Sequence, residues 1–167
     1  MLAYLKLRAI PGVETIDGHR YRRSFVWGPS RGCFSVTPGR ESDCLRLKVV
    51  CQTPAHLKGI SGRVGRIFDL TAPVKAIRRR LSKDPLLTDT LEHSPLPRVP
   101  GTWDGFELAV RAIIGQQVAV KSATTVAGQL VQKFGLRLPA SLTNADVGPT
   151  HLFPAPRALA RAPVTEM

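Results

Sequence analysis

Trp103-Asp104-Gly105-Phe106-Glu107-Leu108-Ala109-Val110-Arg111-Ala112-Ile113-Ile114-Gly115-Gln116-Gln117-Val118 reads as a helix with both ends written into the sequence. Asp104 is placed to accept from first-turn amides, and Glu107 follows three residues later, as in a capping box. Phe106, Ala109, Val110, Ile113 and Ile114 recur at helical spacing and make one apolar stripe. Gly115 weakens the helix at its far end. Two neutral glutamines, Gln116 and Gln117, come next. A second periodic segment then holds Val120, Ala123, Thr124, Ala127, Leu130, Val131 and Phe134, and Gly135 stops it. Two helices therefore meet at the glutamine pair. By spacing alone the pair is an ordinary exposed junction. In a basic protein, uncharged amides at a helix tip are also suited to base edges or to the space of a displaced base.

Towards the amino end, Pro85, Pro95, Pro97 and Pro100 mark residues 85–101 as an extended, proline-rich linker. Before it, Leu57, Ile60, Val64, Ile67 and Phe68 recur at helical spacing, and Val74, Ile77 and Leu81 mark another helix. Arg78, Arg79 and Arg80 lie on that helix, but three successive residues spread over about 200° of arc and cannot all face one strand of nucleic acid. They read as a solvated face. Earlier still, Tyr21, Arg23, Phe25 and Trp27 alternate with Arg22, Ser24 and Val26. Cys33 to Val36 is a short strand, and Leu45, Leu47 and Val49 alternate with Arg46 and Lys48. Three strands joined by short turns make an antiparallel meander, apolar on one face and basic on the other. Leu2, Leu5, Ala9 and Ile10 suggest a short first helix. The fold expected is α+β: an antiparallel sheet with helices packed on one face in residues 1–84, the linker at 85–101, and a helical segment in 102–167. The last part, 136–167, is proline-rich with one helical turn near Leu159.

Composition narrows the function classes. The chain has 167 residues with 43% hydrophobic and 22% charged, ordinary globular usage, but its net charge is +12. Residues 1–100 carry 18 Lys/Arg against 8 Asp/Glu, and the remainder carries 6 against 4. A field of that sign attracts polyanions such as DNA or RNA. Three cysteines and four histidines lack metal-ligand spacing, so no metal site is expected. No apolar run reaches the roughly 20 residues of a membrane span.

The run from Ala109 to Val120, with Trp103-Asp104-Gly105-Phe106-Glu107 before it, closely resembles the start of the helix-hairpin-helix domain in the alkylbase DNA glycosylases of the DNA-3-methyladenine glycosylase II type. Arg8-Ala9-Ile10-Pro11-Gly12-Val13-Glu14, Tyr21-Arg22-Arg23-Ser24, Gly62 to Leu70, Asp84-Pro85-Leu86-Leu87 and Phe153 to Ala160 are similar to that family too, so the resemblance covers essentially the whole chain. It implies base-excision DNA repair: a hydrolase that binds double-stranded DNA, flips out an alkylated base and excises it with no cofactor and no metal. It implies base-pocket roles for Tyr4 and Gln116, and places Gln117 at the wedge that enters the minor groove. An aromatic wall suits an alkylated base, which often carries positive charge.

The family continues into a Pro-Gly-Ile-Gly type hairpin and a catalytic aspartate that nothing in this sequence matches. The expectation is a fragment, with an incomplete all-α helix-hairpin-helix domain at 102–167 and no catalytic residue. It should be inactive by itself, because a carboxylate is needed to stabilise the positive charge building on the sugar. The family is expected to be monomeric, cytoplasmic and nucleoid-associated, whereas a fragment with a bare apolar stripe is expected to self-associate. The alternative is a non-catalytic basic nucleic-acid-binding module.

Overall fold

In the computed structural model, which describes residues 1–40, 44–53, 56–93, 97–143 and 148–163, the alternating segments form four strands: β1 (Glu14–Asp17), β2 (Arg20–Trp27), β3 (Ser30–Pro38) and β4 (Leu45–Cys51). They pair antiparallel in sequence order. Tyr21 lies opposite Val36, and Val36 opposite Leu47. That register places Tyr21, Phe25, Phe34 and Val36 on one face, where they meet Ile60, Val64 and Ile67 from helix α2 (Leu57–Ile67). Helix α1 (Leu2–Arg8) adds Leu5 to the same core. The strand β1 went unread in the sequence because Glu-Thr-Ile-Asp is too short to show an alternation.

Three expectations need correction. The stretch after Asp84 is not extended: Pro85–Leu87 is a 3-10 turn, and helix α4 follows at Thr88–His93, after α3 (Val74–Leu81). Asp84 caps this turn by accepting from the amide of Leu86, with Pro85 preset in the first helical position, and Leu91 is buried. The far end of the same stretch is tied down. The amide of Val99 donates to the carboxylate of Asp69 at 2.9 Å, Arg98 donates to the Asp69 carbonyl, and the Gly101 amide donates to Ile67 at 3.1 Å. A side chain at Gly101 would collide with the carbonyl of Arg66, so only glycine permits this approach.

Second, the outer face of the sheet is not left open along its length. Residues 136–143 and 148–152 lie across it, and Cys33 and Val50 pack on Leu138, Leu142 and Leu152. The Ser24 hydroxyl donates to the carbonyl of His151 at 2.6 Å. The stretch carries no periodicity because loop backbone and one short 3-10 turn, Ala140–Leu142, make these contacts.

Third, only half of the capping box forms at helix α5 (Gly105–Ile114). Asp104 accepts from the amide of Glu107 at 2.8 Å, but the Glu107 carboxylate turns inward to two arginines. Helix α6 (Val120–Phe134) follows, and a short α7 (Pro156–Ala160) ends the described chain. Gly135 stops α6 without a left-handed turn. A side chain there would run into the carbonyls of Val131 and Leu152.

Candidate nucleic-acid interface and base pocket

Between α1, α5, α6 and the core face of the sheet lies a cavity of about 400 Å³. That is within the size range of small-ligand pockets, which run from roughly 300 to 1,000 Å³. Tyr4, Leu108, Val118 and Val120 stand around its rim, each at least two-fifths exposed. Tyr21 and Glu14 lie at its floor, buried.

The floor is an ion network. Glu14 accepts from the Tyr21 hydroxyl at 2.6 Å and from Arg23 at 2.8 Å through one oxygen. Its other oxygen accepts from the Ile10 amide at 3.0 Å and from Arg111. Glu107 accepts from Arg23 and, at 3.0 Å, from Arg111 one helical turn on. Arg111 also donates to the carbonyl of Arg8 at 2.8 Å. Two carboxylates and two guanidiniums thus cancel in charge and lock β1, β2 and α1 to α5. The clue in the sequence was Arg23, a charge on the apolar side of an alternating strand. The partners lie 84 and 97 residues apart, which spacing cannot reveal.

This network sets the pH behaviour. Burial alone would raise the Glu14 pKa, but the guanidiniums of Arg23 and Arg111, with the Tyr21 hydroxyl and Ile10 amide, overcome it and hold Glu14 below its ordinary 4.5. Burial, then the neighbouring charge of Glu14, pushes Tyr21 well above 10.0. A lowered carboxylate contributes stability above its unfolded pKa and loses it as pH falls through the folded value. A raised tyrosine contributes fully below 10.0 and loses its contribution as pH rises from there towards the folded value. Urea-unfolding stability should be flat from about pH 5 to about pH 9 and fall on both sides. In Tyr21→Phe the alkaline fall should become shallower. An alkaline limb unchanged by that substitution would contradict the assignment.

The candidate recognition residues fall in two places. Tyr4 lines the cavity and is 42% exposed, and the Arg8 guanidinium carbon sits 3.9 Å from its ring centre. Gln116 and Gln117 are exposed at the α5–α6 junction, flanked by Gly115 and Val118 of the cavity wall, and neither is among the lining residues. The junction turns in an unexpected way. Gly115 keeps ordinary helical angles, and it is Gln117 that takes a left-handed backbone, with φ at +58°. For a residue with a Cβ that conformation costs roughly 1–2 kcal/mol.

The stripe of α5 has little cover. The one buried residue of the helix is Glu107, and of the stripe Phe106, Val110 and Ile114 are half-buried while Ala109 is exposed and Ile113 is 68% exposed. Phe106 meets Phe153 edge-on at 6.3 Å. Among the described residues no helix is long and apolar enough to cross a membrane.

Comparison with known proteins adds the lineage. A family model described as the AlkA N-terminal domain matches residues 1–104. A Mycobacterium tuberculosis protein named probable bifunctional transcriptional activator/DNA repair enzyme AlkA is 35% identical over 96% of this chain, which spans 31% of that protein. DNA-3-methyladenine glycosylase 2 of Escherichia coli K12 is 30% identical over 97% of this chain, which spans 53% of it. The chain therefore covers about a third to a half of the curated relatives it matches. Among solved structures, the 3-methyladenine DNA-glycosylase from Archaeoglobus fulgidus shares the fold at a TM-score of 0.79 and 18% identity, over 96% of this chain and 53% of that one. A structure titled MBOgg1 in complex with low affinity DNA ligand matches at a TM-score of 0.62 and 18% identity, over 91% of this chain and 57% of the other.

Proposed function

The chain belongs to the AlkA N-terminal domain family, and on that premise we propose that it supplies the lesion-recognition part of a base-excision DNA glycosylase acting on alkylated bases in duplex DNA. The observation that carries this reading is the backbone of Gln117. A non-glycine residue is held there in a left-handed conformation, exposed at the tip between two helices and beside a cavity, and strain of this kind clusters at functional sites. A side chain offered to the minor groove gives that strain a use. Gln117 is the wedge in this reading, Gln116 approaches the base, and Tyr4 forms the wall. The guanidinium of Arg8 already covers one face of Tyr4, so a cationic base must displace it or stack on the other face.

Excision is not assigned to these residues. Glu14 is the carboxylate lining the cavity, and both its oxygens are taken by cations and donors. It cannot turn to stabilise a sugar cation without leaving Arg23 and Arg111 to share the single carboxylate of Glu107 in the core. The setting proposed is the bacterial cytoplasm, on the nucleoid, and the complete enzyme is proposed to work as a monomer without metal or cofactor.

Gln117→Ala tests the wedge. It removes no charge, so the slope of log K against log salt should not move. Affinity for a duplex with an abasic gap should fall several-fold more than affinity for an intact duplex, because only the gap leaves room for the side chain. Equal loss on both duplexes, or none, returns the pair to an ordinary helix junction.

The α5 stripe bears on how these 167 residues behave alone. Ile113 is exposed on α5, and Leu108, Val118 and Val120 stand exposed around the cavity, apolar surface of the kind that drives association. Sedimentation velocity should show oligomers growing with concentration, and Ile113→Lys should reduce them. A monomer at every concentration would contradict this.

A further inference from the structure

The outer face of the sheet carries charge that the base pocket does not use. Arg20 and Arg22 on β2, Arg31 on β3, and Arg46 and Lys48 on β4 share the side opposite Tyr21 and Phe25. Register fixes their spacing. Arg22 lies opposite Ser35, and Ser35 opposite Lys48. Arg20 and Arg46 each lie two residues before those positions. The four cations therefore form two rows, separated by about 6.7 Å along the strands and about 9.5 Å across β3. A pleated sheet holds such a pattern in one plane. On helix α3, Lys75, Arg78 and Arg79 share one face at i, i+3 and i+4, and Arg80 turns to another, which makes that helix a control of equal charge on a curved surface.

Within this face is an unsatisfied group. Residues 148–149 meet the sheet beside Arg22, Ser35, Lys48 and Val50 and leave a crevice there. One terminal nitrogen of Arg22 is buried at that point with no hydrogen-bond partner among the described residues. The other stands 4.0 Å from Asp17, at the limit of an ion pair. Buried guanidinium nitrogens are nearly always paired, so the unpaired one beside Lys48 and the Ser35 hydroxyl leaves the positive charge of Arg22 only partly compensated at this face. Among the described residues Asp17 is the one carboxylate on this face.

From the two coplanar rows, we propose that the exposed end of the outer sheet face, beyond the part covered by Leu138, Leu142 and Leu152, docks the phosphodiester backbone of duplex DNA, with Arg22, Arg46 and Lys48 as phosphate contacts. A single free phosphate would meet one cation or one pair, whereas two rows of cations spanning from β2 to β4 fit a repeated anion. The face looks away from the cavity, which opens on the opposite side of the sheet. The DNA it holds is then not the stretch whose base enters the pocket, but a second segment or the flank of a bent one. Such a surface gives sequence-blind retention on DNA, and it stands or falls independently of Gln117.

The test is salt-dependent binding of the full chain to an undamaged duplex. Arg46 and Lys48 are exposed, so Arg46→Gln/Lys48→Gln should leave the fold intact. The proposal expects the slope of log K against log salt to become shallower by about 2, and affinity near 0.1 M salt to drop roughly 10- to 100-fold. Lys75→Gln/Arg79→Gln removes the same charge from α3 and should change the slope by less than about 0.5. Arg20→Gln/Arg46→Gln, at the other row, should behave like the first pair. Equal losses in the α3 and sheet variants would reduce the effect to net charge and overturn the proposal. So would an unchanged slope, or a sheet variant that keeps duplex affinity while losing binding to phosphatidylserine vesicles. Gln117→Ala should keep the full slope, so failure of the wedge and failure of this surface give different results.

Discussion

Glu107→Ala should lower the unfolding free energy by about 3–5 kcal/mol, the range for removing one partner from a buried ion pair. Glu107 has no exposed surface, and it accepts from both Arg23 and Arg111. Without it, Arg23, whose side chain is 3% exposed, must share the single carboxylate of Glu14 with Arg111. Charge at Arg23 is favoured over its ordinary state because Glu107 and Glu14 outweigh the burial that opposes it, so the arginine cannot escape by losing its proton. The lost energy is therefore an uncompensated cation in the core. With a urea m-value of roughly 1–3 kcal/mol/M, the midpoint should fall by at least about 1 M. Glu107→Gln keeps one acceptor but not the charge, and should sit between. The network predicts a coupling as well. Arg23→Met combined with Glu107→Met should cost much less than the sum of the single changes, because the pair leaves no bare charge from either member. Additive single and double costs would falsify the picture of a closed network.

How much of this was legible in the sequence follows from how far apart the causes lie. Helix α5 could be read from within itself: cap, stripe and terminal glycine fall in one short run, and the structure places the helix from Gly105 to Ile114 with Asp104 as cap. Helices α2, α3 and α6 and strand β2 were legible for the same reason. The carboxylate of Glu107 was not. Locally it satisfies a capping motif, and its use as a core anion depends on Arg23, 84 residues away. The cover that Leu138, Leu142 and Leu152 give the outer sheet face was hidden likewise, since no long regular element carries them and the segment has no period. At the candidate site, the glutamine pair and Tyr4 were visible through their resemblance to a family. The left-handed angle at Gln117 was not, because Gly115 stood two residues earlier as the more natural residue for such a turn.

Trp103→Ala should cost a further large fraction of stability, about 3–5 kcal/mol for truncating a buried tryptophan. Trp103 is 4% exposed and lies in the segment assigned on sequence to the helical part, yet it belongs to the core of the sheet. Its ring stands 5.4 Å from Phe25, 5.6 Å from Phe34 and 6.3 Å from Trp27, and the Arg63 guanidinium lies 5.2 Å from its centre. Such tilted and edge-on pairs add roughly 0.5–1.5 kcal/mol beyond the area they bury. The family match ends at residue 104, just past this ring, as expected if the sheet needs it to close its core. For a chain of this size the loss corresponds to a fall in Tm of about 6–20 °C. Trp103→Phe keeps an aromatic plug of smaller volume and should recover more than half of it. The ring also approaches Arg23, whose guanidinium carbon is 6.0 Å from its centre, so the two large effects share a neighbour. Trp103→Ala combined with Glu107→Ala should then depart from additivity by more than about 0.5 kcal/mol, the usual limit for independent sites. Strict additivity would mean that core and ion network stand as separate units, with Trp103 merely adjacent to both.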